Sequence, residues 1–222
     1  MDRLRVGIVV PALNEAATIA AVVRLLGAQG RVIVVDDGSS DGTAEIARAN
    51  GADVVLHPQN AGYDRALGSG FARASELGCE YVITVDADGQ HPVDLLPKFV
   101  AALDDGADMV VGIRDHIPRI SEWLFQVMAR RLYGINDPLC GMKGYRIDLY
   151  RALGWFDSYR SIGTELMLHA ARNGARIVQF PVPTRERVGK ARIGNVLRAN
   201  CIILRAGLIG FWKRFARDGL KR

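Results

Sequence analysis

A chain of 222 residues that is 49% hydrophobic and 24% charged has the length and composition of one compact domain with a sizeable core, which excludes a disordered, fibrous or low-complexity protein. The net charge of +5 has a location: from Arg185 to Arg222 the only acids are Glu186 and Asp218 among many Lys and Arg, so the surplus belongs to the tail and suits anionic lipid or phosphate. Cys79, Cys140 and Cys201 form no CxxC pair, which excludes a disulfide framework or a structural zinc site; with a start that runs straight into a strand pattern, they predict a reducing, cytoplasmic setting.

In chain order, apolar runs predict strands at 6–10, 32–35, 53–56, 81–85 and 108–111, with helices at 15–29, 41–50, 63–77 and 94–104 between them. The runs are unbroken Val and Ile rather than alternating, the pattern of strands buried on both faces of a parallel sheet. Strand and helix alternating in this rhythm predict an α/β fold, a mainly parallel central sheet flanked by helices. After residue 112 the rhythm lapses. A helix is predicted at 119–133, a glycine-containing loop with a short strand at 136–146, a helix at 163–173, a strand at 176–182 and a final helix at 195–217. No linker separates a second domain, and the second half is expected to fold over the cleft made by the first.

Polar residues collect where the strands end: Asn14 and Glu15 after the first, Asp36 to Ser39 after the second, Asp86 to Gln90 after the fourth. Ligands of open parallel sheets bind beyond the carboxyl ends of the strands, so one edge is the expected cleft. Asp86 and Asp88, at i and i+2 beyond an apolar strand, converge only on something positive, and Mg²⁺ or Mn²⁺ held by one or two carboxylates plus substrate phosphates fits. Asp and Gly are turn formers in any case, so this pair alone is weak evidence. Asp36, Asp37 and Asp41 have helix capping as their alternative role, with Ser40 or Asp41 expected as a cap. His91 is expected to pack beside Pro92 and shape the turn.

Three motifs in order change the weight of that evidence: Val9-Val10-Pro11-Ala12-Leu13-Asn14-Glu15, Val34-Val35-Asp36-Asp37-Gly38-Ser39-Ser40-Asp41-Gly42-Thr43 and Asp86-Ala87-Asp88-Gly89-Gln90-His91-Pro92. Over about residues 5–195 the chain resembles a family 2 glycosyltransferase of the GT-A fold, within the dolichol-phosphate mannose synthase and polyprenyl-phosphate glycosyltransferase branch. The resemblance implies that Pro11, Leu13, Glu15, Val35 and Asp37 line the nucleoside pocket. It implies that Asp86, Ala87, Asp88 and Gln90 surround a divalent metal and the diphosphate, with Asp86, Asp88 and Gln90 as the metal set, and that Arg114 reaches phosphate. Carboxylates suit ribose hydroxyls, and an arginine fork suits phosphate oxygens.

On the acceptor side, Asp137-Pro138-Leu139-Cys140-Gly141-Met142 resembles the branch's Asp-Pro-x-x-Gly-Phe loop, departing from it at Cys140 and Met142. Glu165 opens a helix toward the same region. Arg185, Arg187, Lys190 and Arg192 form a basic loop similar to one that closes over the phosphates, with Arg187 and Arg192 as the matched positions and Gly189 and Gly194 as hinges. The implied reaction is inverting transfer of a hexose from a GDP-mannose or UDP-glucose type donor to a polyprenyl phosphate. An acceptor phosphate is already ionised, whereas a saccharide hydroxyl of an envelope glycan needs a base, for which Asp137 and Glu165 are the candidates. A sugar-nucleotide-binding protein without activity is the reading from another class. P-loop and nicotinamide fingerprints are absent, as is any aromatic–basic platform for nucleic acid.

The tail, 196–222, is read as a basic amphipathic helix appended to a 1–195 transferase domain. Leu197, Cys201, Leu204, Leu208, Phe211, Trp212 and Phe215 form its apolar stripe. No uninterrupted apolar stretch reaches the roughly 20 residues of a spanning helix, so the expectation is peripheral attachment at the cytoplasmic face of a membrane.

Overall fold

The Val- and Ile-rich runs form strands, as their β-branched side chains favour. The computed structural model describes residues 3–89, 91–115, 119–183 and 196–218. Strands β1 (Val6–Ala12), β2 (Arg31–Asp36), β3 (Asp53–Leu56), β4 (Tyr81–Thr84), β5 (Met109–Arg114), β6 (Lys143–Arg146) and β7 (Ile177–Val182) make one seven-stranded sheet in the order β3-β2-β1-β4-β6-β5-β7. All neighbours pair in parallel except β6, which runs against both β4 and β5.

Every strand of the centre is buried on both faces, which is why its sequence does not alternate. Ile8, Val10, Val34, Ile83 and Val110 point into a layer covered by α1 (Ile19–Gly27), α2 (Thr43–Ala49) and α4 (Leu96–Asp104). Their neighbours Val9, Ile33, Val82, Met109 and Val111 point the other way, under α3 (Tyr63–Glu76), α5 (Ile120–Tyr133), α6 (Ile147–Leu153), α7 (Glu165–Arg172) and α8 (Val196–Asp218). Each such side chain contributes about 1.5–3 kcal/mol of hydrophobic stabilisation. Helix α3 lies close against β1 because Gly70 has no side chain; a Cβ there would collide with Val9.

Four details differ from the sequence reading. The helix expected from residue 15 begins at Ile19, because the Glu15 carbonyl first accepts the Thr18 and Ile19 amides at 3.0 and 2.9 Å and closes a turn. Helix α6 was not anticipated; it is a short piece ended by Gly154 in the left-handed region (φ 86°). The second half does not simply fold over the cleft. It delivers β6 and β7 into the same sheet, with β6 wedged between β4 and β5. Lastly, the inward face of α8 is Ile203, Ala206, Gly207, Gly210 and Phe211, whereas Cys201, Leu204, Leu208 and Trp212 of the expected stripe are exposed. The reason is size: Gly207 lies against the Phe125 ring, and a Cβ at Gly210 would be 2.9 Å from Leu168, so small residues let α8 approach where a count of large apolar ones does not point.

Candidate active site

Register brings the three motifs to one edge. Pro11 pairs with Val35 and Ala12 with Asp36 across β1 and β2, while the Val85 amide donates to the Val9 carbonyl across β1 and β4. The edge is the switch point of the sheet, where the chain order leaves β1 for β2 on one side and for β4 on the other. A proline is tolerated in the central strand here because Pro11 faces the β4 side two residues beyond Val9, where β4 pairing has ended.

Hydrogen bonds stitch the first two loops together. The Asn14, Glu15 and Ala16 amides donate to Ser39 Oγ, Thr43 Oγ1 and Asp41 Oδ2 at 2.8, 2.8 and 3.0 Å, and the Ser40 amide donates back to Asn14 Oδ1. Asn14 holds a left-handed conformation (φ 52°) to make this possible. Asp41, rather than Ser40, takes the Thr43 amide at the start of α2. Burial pushes its carboxyl up, but the bonds from Thr43 and the Ala16 amide hold it below the usual range. Asp36 receives the Ser39 amide and hydroxyl. Pro11, Val35 and Glu15 are buried and Leu13 is half-buried beside them. Asp37 is buried and accepts from the Ala61 and Gly62 amides at 2.9 Å each, with His57 Nδ1 at 2.7 Å. Its carboxylate thus organises the 57–62 loop at the cleft. His57, whose other nitrogen meets Ser69 Oγ at 2.9 Å, was not foreseen; a single histidine after a strand carries no motif.

Asp86, Ala87 and Asp88 follow β4, with Ala87 and Asp88 buried and Asp86 half-buried. His91 Nδ1 accepts the Asp86 amide at 3.2 Å, closing the turn as anticipated, and its Nε2 lies 3.7 Å from Asp86 Oδ2. Gln90 lies outside the described residues. The Tyr63 hydroxyl reaches Asp86 Oδ1 at 3.5 Å. Thr84 Oγ1 donates to the Gly141 carbonyl at 2.6 Å, and a Cβ at Gly141 would collide with the Asp86 carboxylate and approach His91 to 2.9 Å. The 137–142 loop therefore backs directly onto the acidic turn. No group of three or more His, Cys, Asp and Glu gathers among the described residues. The carboxylate oxygens of Asp86 and Asp88, with the His91 ring beside Asp86, fit a hard divalent ion that completes its shell with phosphate and water.

Beyond the turn lies a buried ion network. Arg114, at the end of β5, donates through Nε and Nη2 to Asp137 at 2.8 and 3.0 Å and through Nη2 to Glu122 at 3.1 Å; its amide also donates to Asp137. Burial raises the Asp137 carboxyl, yet the Arg114 guanidinium and amide together hold it below the carboxylate range. Glu122 further pairs with Arg119 at 2.7 Å. Glu165 is buried and takes the Ser158 hydroxyl at 2.9 Å together with the Ser158 amide, which pins the loop before α7. Arg187 and Arg192, with the rest of the basic loop, lie outside the described residues.

Lys143 was also not anticipated. It is buried at the start of β6, donating from Nζ to the Gly163 carbonyl at 3.1 Å, and burial pushes its pKa down to about 8 against the pull of nearby Asp137 and Asp86. The Gly163 amide in turn donates to Asp64, whose carboxyl is raised to about 6 by burial and by Asp157. The signal for Lys143 was its charge inside Met142-Lys143-Gly144-Tyr145; a cation within a buried strand has to face other polar groups. Cys140 is packed into the core, and burial pushes its thiol up to about 12.

The sequence model described as Glycosyl transferase family 2 matches residues 7–160. A dolichyl-phosphate hexose transferase of Haloferax volcanii is 32% identical over 203 residues, spanning 84% of this chain and 85% of that protein. An undecaprenyl-phosphate mannosyltransferase of Micrococcus luteus is 31% identical over 246 residues, spanning 98% of this chain and 100% of that one. Among solved structures, glucosyl-3-phosphoglycerate synthase of Mycobacterium tuberculosis, in complex with Mn²⁺, uridine diphosphate and glucosyl-3-phosphoglycerate, has a TM-score of 0.76 at 22% identity, covering 96% of this chain and 80% of that one. That likeness is one of fold.

Proposed function

The chain belongs to the family 2 glycosyltransferases, and on that premise we propose that it moves a hexose, with inversion, from a GDP-mannose or UDP-glucose type donor to a polyprenyl phosphate at the cytoplasmic face of a membrane. Pro11, Leu13, Glu15, Val35 and Asp37 receive the nucleoside, and Asp86, Ala87, Asp88 and Gln90 receive the diphosphate. Asp86, Asp88 and Gln90 would hold Mg²⁺ or Mn²⁺. When bound, that ion supplies Lewis-acid neutralisation of the leaving group. Residues 1–195 carry this chemistry, and 196–222 are the supporting basic helix.

Arg114 presents to phosphate the Nη1 edge that Asp137 and Glu122 leave unused. Asp137 fixes that guanidinium in place, so charge on the departing diphosphate meets a cation that is already oriented. Arg187 and Arg192, matched by the resemblance alone, would add positive charge for the same phosphates. An acceptor phosphate oxygen attacks the anomeric carbon from the face opposite the diphosphate. The bond from that carbon to the diphosphate oxygen breaks, and its electron pair leaves with the nucleoside diphosphate.

The observation that carries the acceptor assignment is the occupation of both candidate bases: Asp137 is held by Arg114, and Glu165 accepts from Ser158. A phosphate acceptor needs neither as a base, and the relatives from Haloferax and Micrococcus are named for transfer to polyprenyl phosphates. The test is transfer from GDP-mannose and UDP-glucose, with Mn²⁺, to a short water-soluble polyprenyl phosphate and to oligosaccharides. Rapid transfer to the lipid phosphate is expected, abolished by EDTA and restored by added Mn²⁺. Transfer to oligosaccharides alone overturns the reading.

A further inference from the structure

A groove lies between α3 and the segment that follows α6, apart from the acidic turn and its ion network. It encloses about 540 Å³, within the roughly 300–1,000 Å³ of small-molecule sites. Gly68 and Ala72 of α3 line it and leave the space open; a Cβ at Gly68 would meet only the Phe156 side chain, at 3.7 Å. Helix α6 ends at Gly154 in the left-handed region (φ 86°), and the two residues that follow part company. Phe156 turns into the core, 2% exposed, with its ring 4.7 Å from that of Phe71. Trp155 is 48% exposed and lines the groove. An indole half in water on the wall of a cavity offers a flat apolar face to whatever enters it.

The polar lining is planar. Gln59, Asp64, Arg65 and Asp157 bring an amide, a guanidinium and two carboxylates, groups that make paired hydrogen bonds to neighbouring hydroxyls. Gln59 and Arg65 are exposed, and Asp64 and Asp157 are half-buried. Charge decides the class of occupant. The carboxylates of Asp64 and Asp157 repel an anion such as a phosphate, and the Arg65 guanidinium repels a cation. A neutral ligand rich in hydroxyls donates to the first and accepts from the second. A pyranose is such a ligand: its ring has an apolar C–H face to set against Trp155 and a rim of hydroxyls for the planar groups.

We propose that this groove is a saccharide-binding site, taking a neutral pyranose or a short glycan with its ring against Trp155 and its hydroxyls on Gln59, Asp64 and Arg65. The site is separate from the acidic turn but adjoins the cleft. His57 and Ser69 line the groove, and the His57 ring bridges Ser69 Oγ at 2.9 Å to Asp37 Oδ1 at 2.7 Å. A saccharide in the groove is therefore separated by the His57 ring from the carboxylate that organises the 57–62 loop. The inference stands on the groove itself and requires neither the donor nor the acceptor proposed above.

The test is saturation-transfer NMR of the full chain with methyl α-mannoside, methyl α-glucoside and their α-linked disaccharides, without donor or metal. Saturable binding of at least one is expected, in the millimolar range of small neutral ligands. Trp155→Ala and Arg65→Met should each weaken it at least about tenfold. Both side chains are exposed, so circular dichroism and the melting temperature should stay those of the parent. Trp123→Ala, at an exposed tryptophan of α5, should bind as the parent does. GDP or UDP with Mn²⁺ should not compete. Parent-like binding by either Trp155→Ala or Arg65→Met overturns the site, as does the absence of saturable binding for every saccharide. Competitive displacement by the nucleotide puts the sugar in the cleft and overturns it too. Binding of tetramethylammonium in place of the saccharides makes the groove a cation site and overturns the assignment. None of these measurements uses turnover, so they are independent of the test of the transferase reading.

Discussion

At the residue scale the site is governed by what each carboxylate faces. Asp88→Ala, in the acidic turn, should lower transfer by roughly 100-fold or more while leaving the circular dichroism spectrum intact, because it removes a charge that acts on the leaving diphosphate; an undiminished rate would remove the turn from the chemistry. Asp137→Asn removes the charge that orients Arg114 at a cost of about 2 kcal/mol, readable by denaturant unfolding. Asp137 and Asp64 act in opposite pH windows. Asp137, with its native pKa depressed, contributes stability that is present above the ordinary carboxylate pKa and is lost as pH falls through the native value. Asp64, raised to about 6, favours the folded state when protonated; its contribution is present below the ordinary carboxylate pKa and is lost as pH rises through about 6. Asp64→Asn should therefore flatten the fall in melting temperature between roughly pH 4 and 7 while keeping an acceptor for the Gly163 amide. A parent-like pH profile would show that Asp64 is solvated.

At the scale of elements, the informative contact joins the acidic turn after β4 to the loop that feeds β6. Gly141 is required there by space, since a Cβ would enter the Asp86 carboxylate. Gly141→Ala should keep the fold but displace Asp86, lowering kcat at least about tenfold, because small misplacements in a reacting geometry are costly. A parent-like kcat would show that the turn relaxes freely. Gly70 makes the matching argument in the scaffold: Gly70→Ala should cost about 1–3 kcal/mol by overpacking α3 against Val9, measurable by denaturant unfolding, with little change in kcat of the surviving folded enzyme.

For the molecule as a whole, α8 is part of the body. Its Ile203, Ala206 and Phe211 are buried in the layer shared with α5 and α7, Arg172 reaches the Gly210 carbonyl, and Arg205 reaches that of Tyr159. Truncation after residue 195 should thus lower the melting temperature by several degrees, because burial of each large side chain contributes about 1.5–3 kcal/mol. A deletion that melts with the parent would make α8 a mere appendage. Membrane attachment is accordingly better probed by substitutions on the outward face than by removing the helix.

The sequence by itself determined the α/β class, the parallel centre of the sheet and the edge where Pro11, Asp37, Asp86 and Asp88 collect. Each is written in local terms, as short apolar runs and polar strand ends, and local patterns survive folding. Tertiary structure alone decided that β6 runs backwards between β4 and β5, that Asp137 faces Arg114 and Glu165 faces Ser158, that His57 meets Asp37 and buried Lys143 meets the Gly163 carbonyl, and that α8 turns Leu208 and Trp212 outward. These depend on pairings between residues far apart in the chain and on where small residues permit close approach. Neither has a period or a spacing in a single sequence, so packing, not pattern, sets them.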